Sequence, residues 1–217
     1  GYLSVYDHDI GESRNISVWP ENPMGAGADV LEHRFQWTFP IVMSPHDPET
    51  VYVGGERVFR TTDRGGSWQE ISGDLTTNDK TKQRSSGGPI TKDNTSVEYY
   101  CTVFTIAESP VERGLIWAGT DDGLIHLSET GGGMDGWTDV TPPEMGDWAM
   151  VSLIEASPHD AGTAYAAVTR YKMDDFTPYI YRTRDRGATW DLVTDGIAGD
   201  AFVRSVREDP EVEGLLY

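Results

Sequence analysis

One cysteine, Cys101, is all that the 217 residues contain, so no disulfide can form within the chain and a disulfide-stapled mini-domain is excluded. No apolar run approaches the roughly 20 residues of a membrane-spanning helix. A basic-then-apolar leader is also missing from the first residues, although a trimmed chain would have lost one. Basic side chains are scarce, 17 Lys and Arg against 36 Asp and Glu, for a formal charge of -19. That balance repels nucleic acid and anionic membrane, and neither is expected as a partner. The acidity has two readings, a surface suited to a salty habitat or plain solubility. No segment sustains a 3.6-residue apolar period over a helical length, which argues against a helical fold. A phosphate-cradling glycine loop of the Walker kind is lacking too.

What is present points to a folded, repetitive β chain. Hydrophobic residues make up 37% and aromatic residues 11%, with seven Trp, so disorder over most of the length is not expected. Ser-Pro-His-Asp occurs at Ser44–Asp47 and again at Ser157–Asp160, with related turns at Ser109–Glu112 and Asp209–Val212. Their prolines, Pro45, Pro110, Pro158 and Pro210, lie 65, 48 and 52 residues apart. A β-rich run precedes each proline: Phe35–Met43, Tyr100–Ala107, Met150–Ala156 and Phe202–Arg207. A short strand follows each: Thr50–Val53, Leu115–Ala118, Thr163–Val168 and Leu215–Tyr217. Third strands at Val58–Arg60 and Tyr179–Arg182 lead through a turn into fourth strands at Trp68–Ile71 and Trp190–Val193. Four short strands in roughly 50 residues, repeated, is the pattern of a β-propeller blade.

The turn between third and fourth strands reads Ser/Thr-x-Asp-x-Gly-x-Ser/Thr-Trp. It is complete at Thr61, Asp63, Gly65 and Trp68, and again at Thr183, Asp185, Gly187 and Trp190. A degraded copy at Ser128–Gly132 has Thr130 in place of Asp and extra residues before Trp137. The pattern resembles the Asp-box, or BNR repeat, of sialidases, xyloglucanases and sortilin-type receptors. Four further segments are similar to large bacterial sortilin-like or "glycosyl hydrolase" repeat proteins: Tyr6–Pro20, Gly88–Asn94, Trp117–Leu124 and Asp200–Arg204. The resemblance implies an all-β propeller of four-stranded antiparallel blades and a secreted or periplasmic location. In such folds the box residues shape the turn, on the side away from the active site. Full blades are expected at 33–75, 99–141 and 148–194, with the last two strands of a blade in 1–20 (Tyr2–Tyr6 and Asn15–Trp19) and the first two of another in 201–217. The resemblance favours a segment of a larger propeller, with the remaining blades as its partners, over a closed four-bladed ring.

Function is expected in the loops at one mouth of the channel. Three stand out: Thr76–Glu98, Thr141–Ala149 and Arg170–Thr177. Aromatics beside carboxylates suit a sugar, since rings stack on pyranose faces and carboxylates bind hydroxyls or act as acid and base. Binding candidates are Tyr99, Tyr100, Asp147, Trp148, Tyr171, Lys172 and Phe176. Asp121, Asp122, Asp174 and Asp175 are the candidate catalytic acids, with Asp200 a further rim carboxylate, although Asp-Asp-Gly and Asp-Asp pairs also simply make turns. A sialidase reading fails on its motif, because no Phe/Tyr-Arg-Ile-Pro segment exists and Arg34–Trp37 is no substitute. Asp7-His8-Asp9 reads as a solvated turn rather than a metal site, His46 and His159 as turn residues, and Cys101 as a small core residue. The glycosylation patterns at Asn15–Ser17 and Asn94–Ser96 carry meaning only in a eukaryotic source. No cofactor and no metal are expected. The leading expectation is non-catalytic recognition of a protein or glycan; the alternatives are an Asp-box glycoside hydrolase and an assembly scaffold.

Overall fold

A hairpin opens the molecule. Strands β1 (Ser4–Asp7) and β2 (Glu12–Asn15) pair antiparallel as a two-stranded sheet. Three four-stranded antiparallel meanders follow. The first holds β3 (Ile41–Met43), β4 (Val51–Gly54), β5 (Val58–Thr61) and β6 (Gln69–Glu70). The second holds β7 (Val103–Glu108), β8 (Ile116–Thr120), β9 (Ile125–Ser128) and β10 (Thr138–Asp139). The third holds β11 (Met150–Ala156), β12 (Ala164–Arg170), β13 (Asp175–Thr183) and β14 (Asp191–Leu192). In each sheet the spatial order is the chain order, the meander of a propeller blade. This computed structural model describes residues 2–88, 90–96 and 98–217; Gly1, Val97 and Pro89 of the Gly88–Asn94 segment lie outside the described residues.

Blades stack face to face, so their middle strands are covered on both sides. All five residues of β8 are buried, and the two-residue period of a strand divides them between two cores. Ile116 and Ala118 pack with Tyr52, Val58 and Val103 toward the preceding blade. Trp117 faces the other way, into a cluster with Leu127, Val151, Ala166 and Tyr181.

The turn after each third strand fastens one blade to the previous one. Asp63 accepts hydrogen bonds from Ser67 N–H at 2.9 Å and Thr61 Oγ1 at 2.7 Å, while Thr61 Oγ1 accepts from Gly65 N–H at 2.9 Å. Asp185 repeats the arrangement with Thr189 and Thr183. In the degraded copy Ser128 Oγ still accepts from Gly132 N–H, at 2.9 Å, although Thr130 cannot replace the carboxylate. The indole N–H of Trp68, Trp137 and Trp190 then donates to the carbonyls of Ile16, Ile71 and Val140, in each case the residue just after the previous outer strand. The same three residues press on the turn glycines: a Cβ at Gly65, Gly132 or Gly187 would sit 2.5–2.8 Å from their Cβ atoms.

Gly187 also has φ of +82°, so Gly187→Ala combines left-handed strain with a clash against Val140. We expect a loss of about 2–4 kcal/mol in denaturant unfolding. Gly196→Ala is the control, because Gly196 has φ of +89° but open space around it. Equal losses at the two sites would show that the contact with Val140 contributes nothing.

Several expected strands are shorter or displaced. Asn15–Trp19 is not a strand: β2 ends at Asn15, Ile16 adds one last backbone bond to Leu3 O and receives Trp68, and Val18 turns in against Phe35, Val53 and Phe59. Phe35–Met43 shrinks to Ile41–Met43, because Phe35 is buried against Phe39 and Phe59. Phe202–Arg207 and Leu215–Tyr217 form no named strand; paired backbone bonds between Arg207 and Tyr217 and one Glu208–Leu216 bridge join them. The repeated histidines fix turns between neighbouring blades: the ring N–H of His46 donates to Ser109 O and that of His159 to Asp209 O, both at 2.8 Å.

Candidate functional site

Strand ends decide where a cleft can form. The Thr76–Glu98 and Thr141–Ala149 loops enter inner strands, and Arg170–Thr177 links a second strand to a third, so all three emerge at the same end of the blades. They meet around a cleft of about 620 Å³. Lys82, Gln83, Arg84 and Glu98 come from the first loop, Trp148 from the second, and Arg170 to Met173 from the third. Ala28, Gln36, Trp37, Tyr99, Tyr100, Phe104, Asp121, Met150 and Thr169 complete the lining.

Of the residues singled out from the sequence, the cleft collects Tyr99, Tyr100, Asp121, Trp148, Tyr171 and Lys172. Tyr100 and Trp148 stack with centroids 5.5 Å apart, and the Lys82 ammonium lies 4.2 Å from the Trp148 ring centre. Trp148 holds φ of +59° and Cys101, next to Tyr100, φ of +63°. Left-handed backbone is costly for a bulky side chain, and here both instances flank the stacked pair. Tyr171 stacks on Phe202 at 5.0 Å, with the Arg204 guanidinium 5.5 Å from its ring. Two buried phenol oxygens, those of Tyr99 and Tyr100, and Nε of Arg170 have no hydrogen-bond partner. Burial, with Glu98 and Glu21 nearby, pushes the Tyr99 phenol up to about 12.

The carboxylates separate sharply. Asp121 is buried at the back of the cleft, accepting from Thr102 N–H at 2.8 Å, Thr102 Oγ1 at 2.9 Å and Gln36 Nε2 at 3.2 Å. Burial, reinforced by the neighbouring Asp122, raises it to about 7 against the opposing pull of the Thr102 bonds and Lys172. Asp122, Asp147, Asp174, Asp175, Phe176 and Asp200 are not among the lining residues. Asp122 is taken up by Thr77, accepting from its N–H at 2.8 Å and its hydroxyl at 2.7 Å. Asp174 sits exposed at φ of +57°, closing the turn after Tyr171–Met173. Asp175 accepts from the Thr177 hydroxyl and N–H and the Tyr179 hydroxyl and pairs with Arg170 at 3.2 Å, and together these hold it below the usual carboxylate range. Phe176 packs on Phe202 instead, at 5.9 Å.

The remaining chemistry is inert or local. Cys101 is fully buried, and burial pushes its thiol up, away from the reactive thiolate. Asp7 accepts from Asp9 N–H within its own turn. Among the described residues no group of three or more His, Cys, Asp or Glu side chains is placed to hold a metal, and no helix is long and apolar enough to cross a membrane.

Sequence reasoning misses Gln36, Trp37, Lys82, Arg84, Phe104 and Arg170 in the lining. A signal existed for the cations: Lys80, Lys82 and Arg84 fall within five residues, and Arg170 and Lys172 within three, in a chain poor in basic residues. Trp37 and Gln36 sit in a stretch that reads as strand.

No family profile and no curated protein matches the chain. Among solved structures, an ancestral GH74 enzyme is similar over 88% of this chain at 22% identity, with a TM-score of 0.52. A GH74 enzyme of Niastella koreensis is similar over 73% at 15% identity (TM-score 0.46), and YCF48 bound to D1 peptide over 89% at 17% (TM-score 0.45). The chain spans 21%, 23% and 51% of those three structures respectively. At these identities the likeness is one of fold, a β-propeller.

Proposed function

We propose that this chain is a recognition propeller that binds a glycan in the cleft at its channel mouth, without chemistry of its own. The observation that carries the reading is the convergence of Trp37, Tyr99, Tyr100, Phe104, Trp148 and Tyr171 on one cleft, beside unpartnered phenol and guanidinium donors. Rings offer flat apolar faces, and buried donors without partners suit a ligand rich in hydroxyl oxygens. Asp122 and Asp175, already engaged by protein donors, and the outlying Asp174 argue against hydrolysis. The reading includes the Asp-box ancestry of the turns, further blades in a longer chain and a secreted or periplasmic location. The turn motif supports the first of these parts and the small share of the GH74 structure that is spanned supports the second; the location follows from the resemblance alone.

Intrinsic tryptophan fluorescence, titrated with plant and bacterial oligosaccharides, tests it. At least one oligosaccharide should bind, and Trp148→Ala should weaken that binding about tenfold or more, from the half-exposed ring's lost contact area. No binding across the panel, or unchanged affinity in the variant, would overturn the reading.

A glycoside hydrolase is the second reading, favoured by the placing of two carboxyl groups, Asp121 and Glu98, in the lining of one cleft, with burial raising Asp121 above the usual carboxylate range although Thr102 and Gln36 already donate to it. Release of reducing ends, abolished by Asp121→Asn with folding intact, would put this reading first.

A further inference from the structure

Charge in the cleft runs against the charge of the chain. Acidic residues outnumber basic ones about two to one overall, 36 to 17, yet the lining has four basic residues, Lys82, Arg84, Arg170 and Lys172, and two acidic ones, Glu98 and Asp121. Arg84 and Lys172 are exposed and form no ion pair among the described residues. Arg170 pairs with Asp175 through NH1 only, which leaves its buried Nε without an acceptor. Lys82 sits 3.8 Å from Asp79 and over the Trp148 ring. At physiological salt the screening length is about 8 Å, so Arg84 and Lys172 act on a bound group while acids beyond that distance are screened, and Arg170 and Lys82, each shared with an Asp within 4 Å, add less.

We propose that the cleft selects an anionic sugar residue, whose carboxylate or sulfate is held among Arg84, Arg170 and Lys172 while its ring lies against the aromatic wall. The inference rests on the glycan reading above and names its ligand class. Trp37 supplies the platform: its side chain is 74% exposed at the rim and stacks on no other ring among the described residues. An acidic peptide would share the charge, but one bound as an added strand needs a strand edge for main-chain pairing. The walls are instead mostly side chains from loops, with only Phe104, Met150, Thr169 and Arg170 belonging to strands. Asp121 opposes the cations least, because it is buried at the back of the cleft with its oxygens taken up by Thr102 and Gln36.

The test is a fluorescence titration of the whole chain with four probes: trigalacturonate, its methyl ester, a sulfated galactose trisaccharide and a hexa-aspartate peptide. Trigalacturonate should bind at least ten times more tightly than its ester. Arg84→Gln/Lys172→Gln should erase that preference while leaving the circular dichroism spectrum unchanged. Tighter binding of the sulfated sugar would support the anionic class and identify the anion as a sulfate. Equal binding of the ester would overturn this inference and leave glycan recognition standing. Preference for the peptide would overturn it in favour of a protein ligand, and failure of every sugar would remove the glycan reading with it.

Discussion

Trp117→Ala is expected to lower the stability of the chain by about 3–5 kcal/mol, read as a shifted midpoint with unchanged slope in urea unfolding. Trp117 has no exposed surface and sits in mid-strand on β8, with its ring edge-on to Trp190 at 6.1 Å. Its cluster joins two blades, and rigid meanders on both sides leave little freedom to collapse into the cavity. Since single domains are stable by only about 5–15 kcal/mol, this is a large share of the total. The indole N–H makes Trp117→Phe informative, because it is buried without a partner. Phenylalanine removes that unpaired donor along with part of the ring, so we expect the loss to stay below about 2 kcal/mol. A loss as large as that of alanine would show that the lost ring volume, and not the unpaired N–H, decides the cost.

Trp117 and its neighbours show which parts of the molecule the amino-acid order reveals. Short-range rules were legible. The Thr61–Trp68 and Thr183–Trp190 turns close within eight residues, and their spacing announces four-stranded blades before any contact is known. The three long loops were legible as well, since strand counting puts them at one end, and there they enclose the cleft. Partners were not. Asp121 meets Gln36 across 85 residues, and Asp122 meets Thr77 across 45, so pattern alone could not separate the carboxylate in the cleft from the one already engaged. Asp175 has its partner Arg170 only five residues away, but a strand bulge brings them together, and bulges leave no periodic trace. Charged residues at 33, 34 and 56 look like surface in the sequence and are buried in the structure.

Those residues carry the other large expected effect. Glu56 is 1% exposed and accepts from His33 Nδ1–H at 2.8 Å, Arg34 N–H at 2.9 Å and Arg57 Nε–H at 2.7 Å. Glu56→Ala leaves these donors, one of them a buried guanidinium's own backbone and another Arg57's charge, facing an empty space, and we expect a loss of about 3–5 kcal/mol. Burial by itself would raise the Glu56 pKa, but the bonds from His33 and Arg34 win and hold it at about 2. A depressed carboxylate stabilises the fold only while ionised. Its contribution is therefore complete above the ordinary value of 4.5 and is lost as the pH falls toward 2. Glu56→Gln, which keeps an acceptor but cannot titrate, should flatten the fall in stability between those two pH values. The consequence reaches the cleft, because Arg34 also donates from Nε to Cys101 O at 2.9 Å and pairs with Asp74 at 2.7 Å. Cys101 carries the left-handed backbone beside Tyr100, and Tyr100 is the floor on which Trp148 stacks. Loosening Arg34 should therefore weaken ligand binding in the folded Glu56→Gln protein at neutral pH, where stability itself is sufficient. Unchanged ligand affinity in that variant would confine the buried ion cluster to holding the blade, and the strain at Cys101 and Trp148 would then need another source.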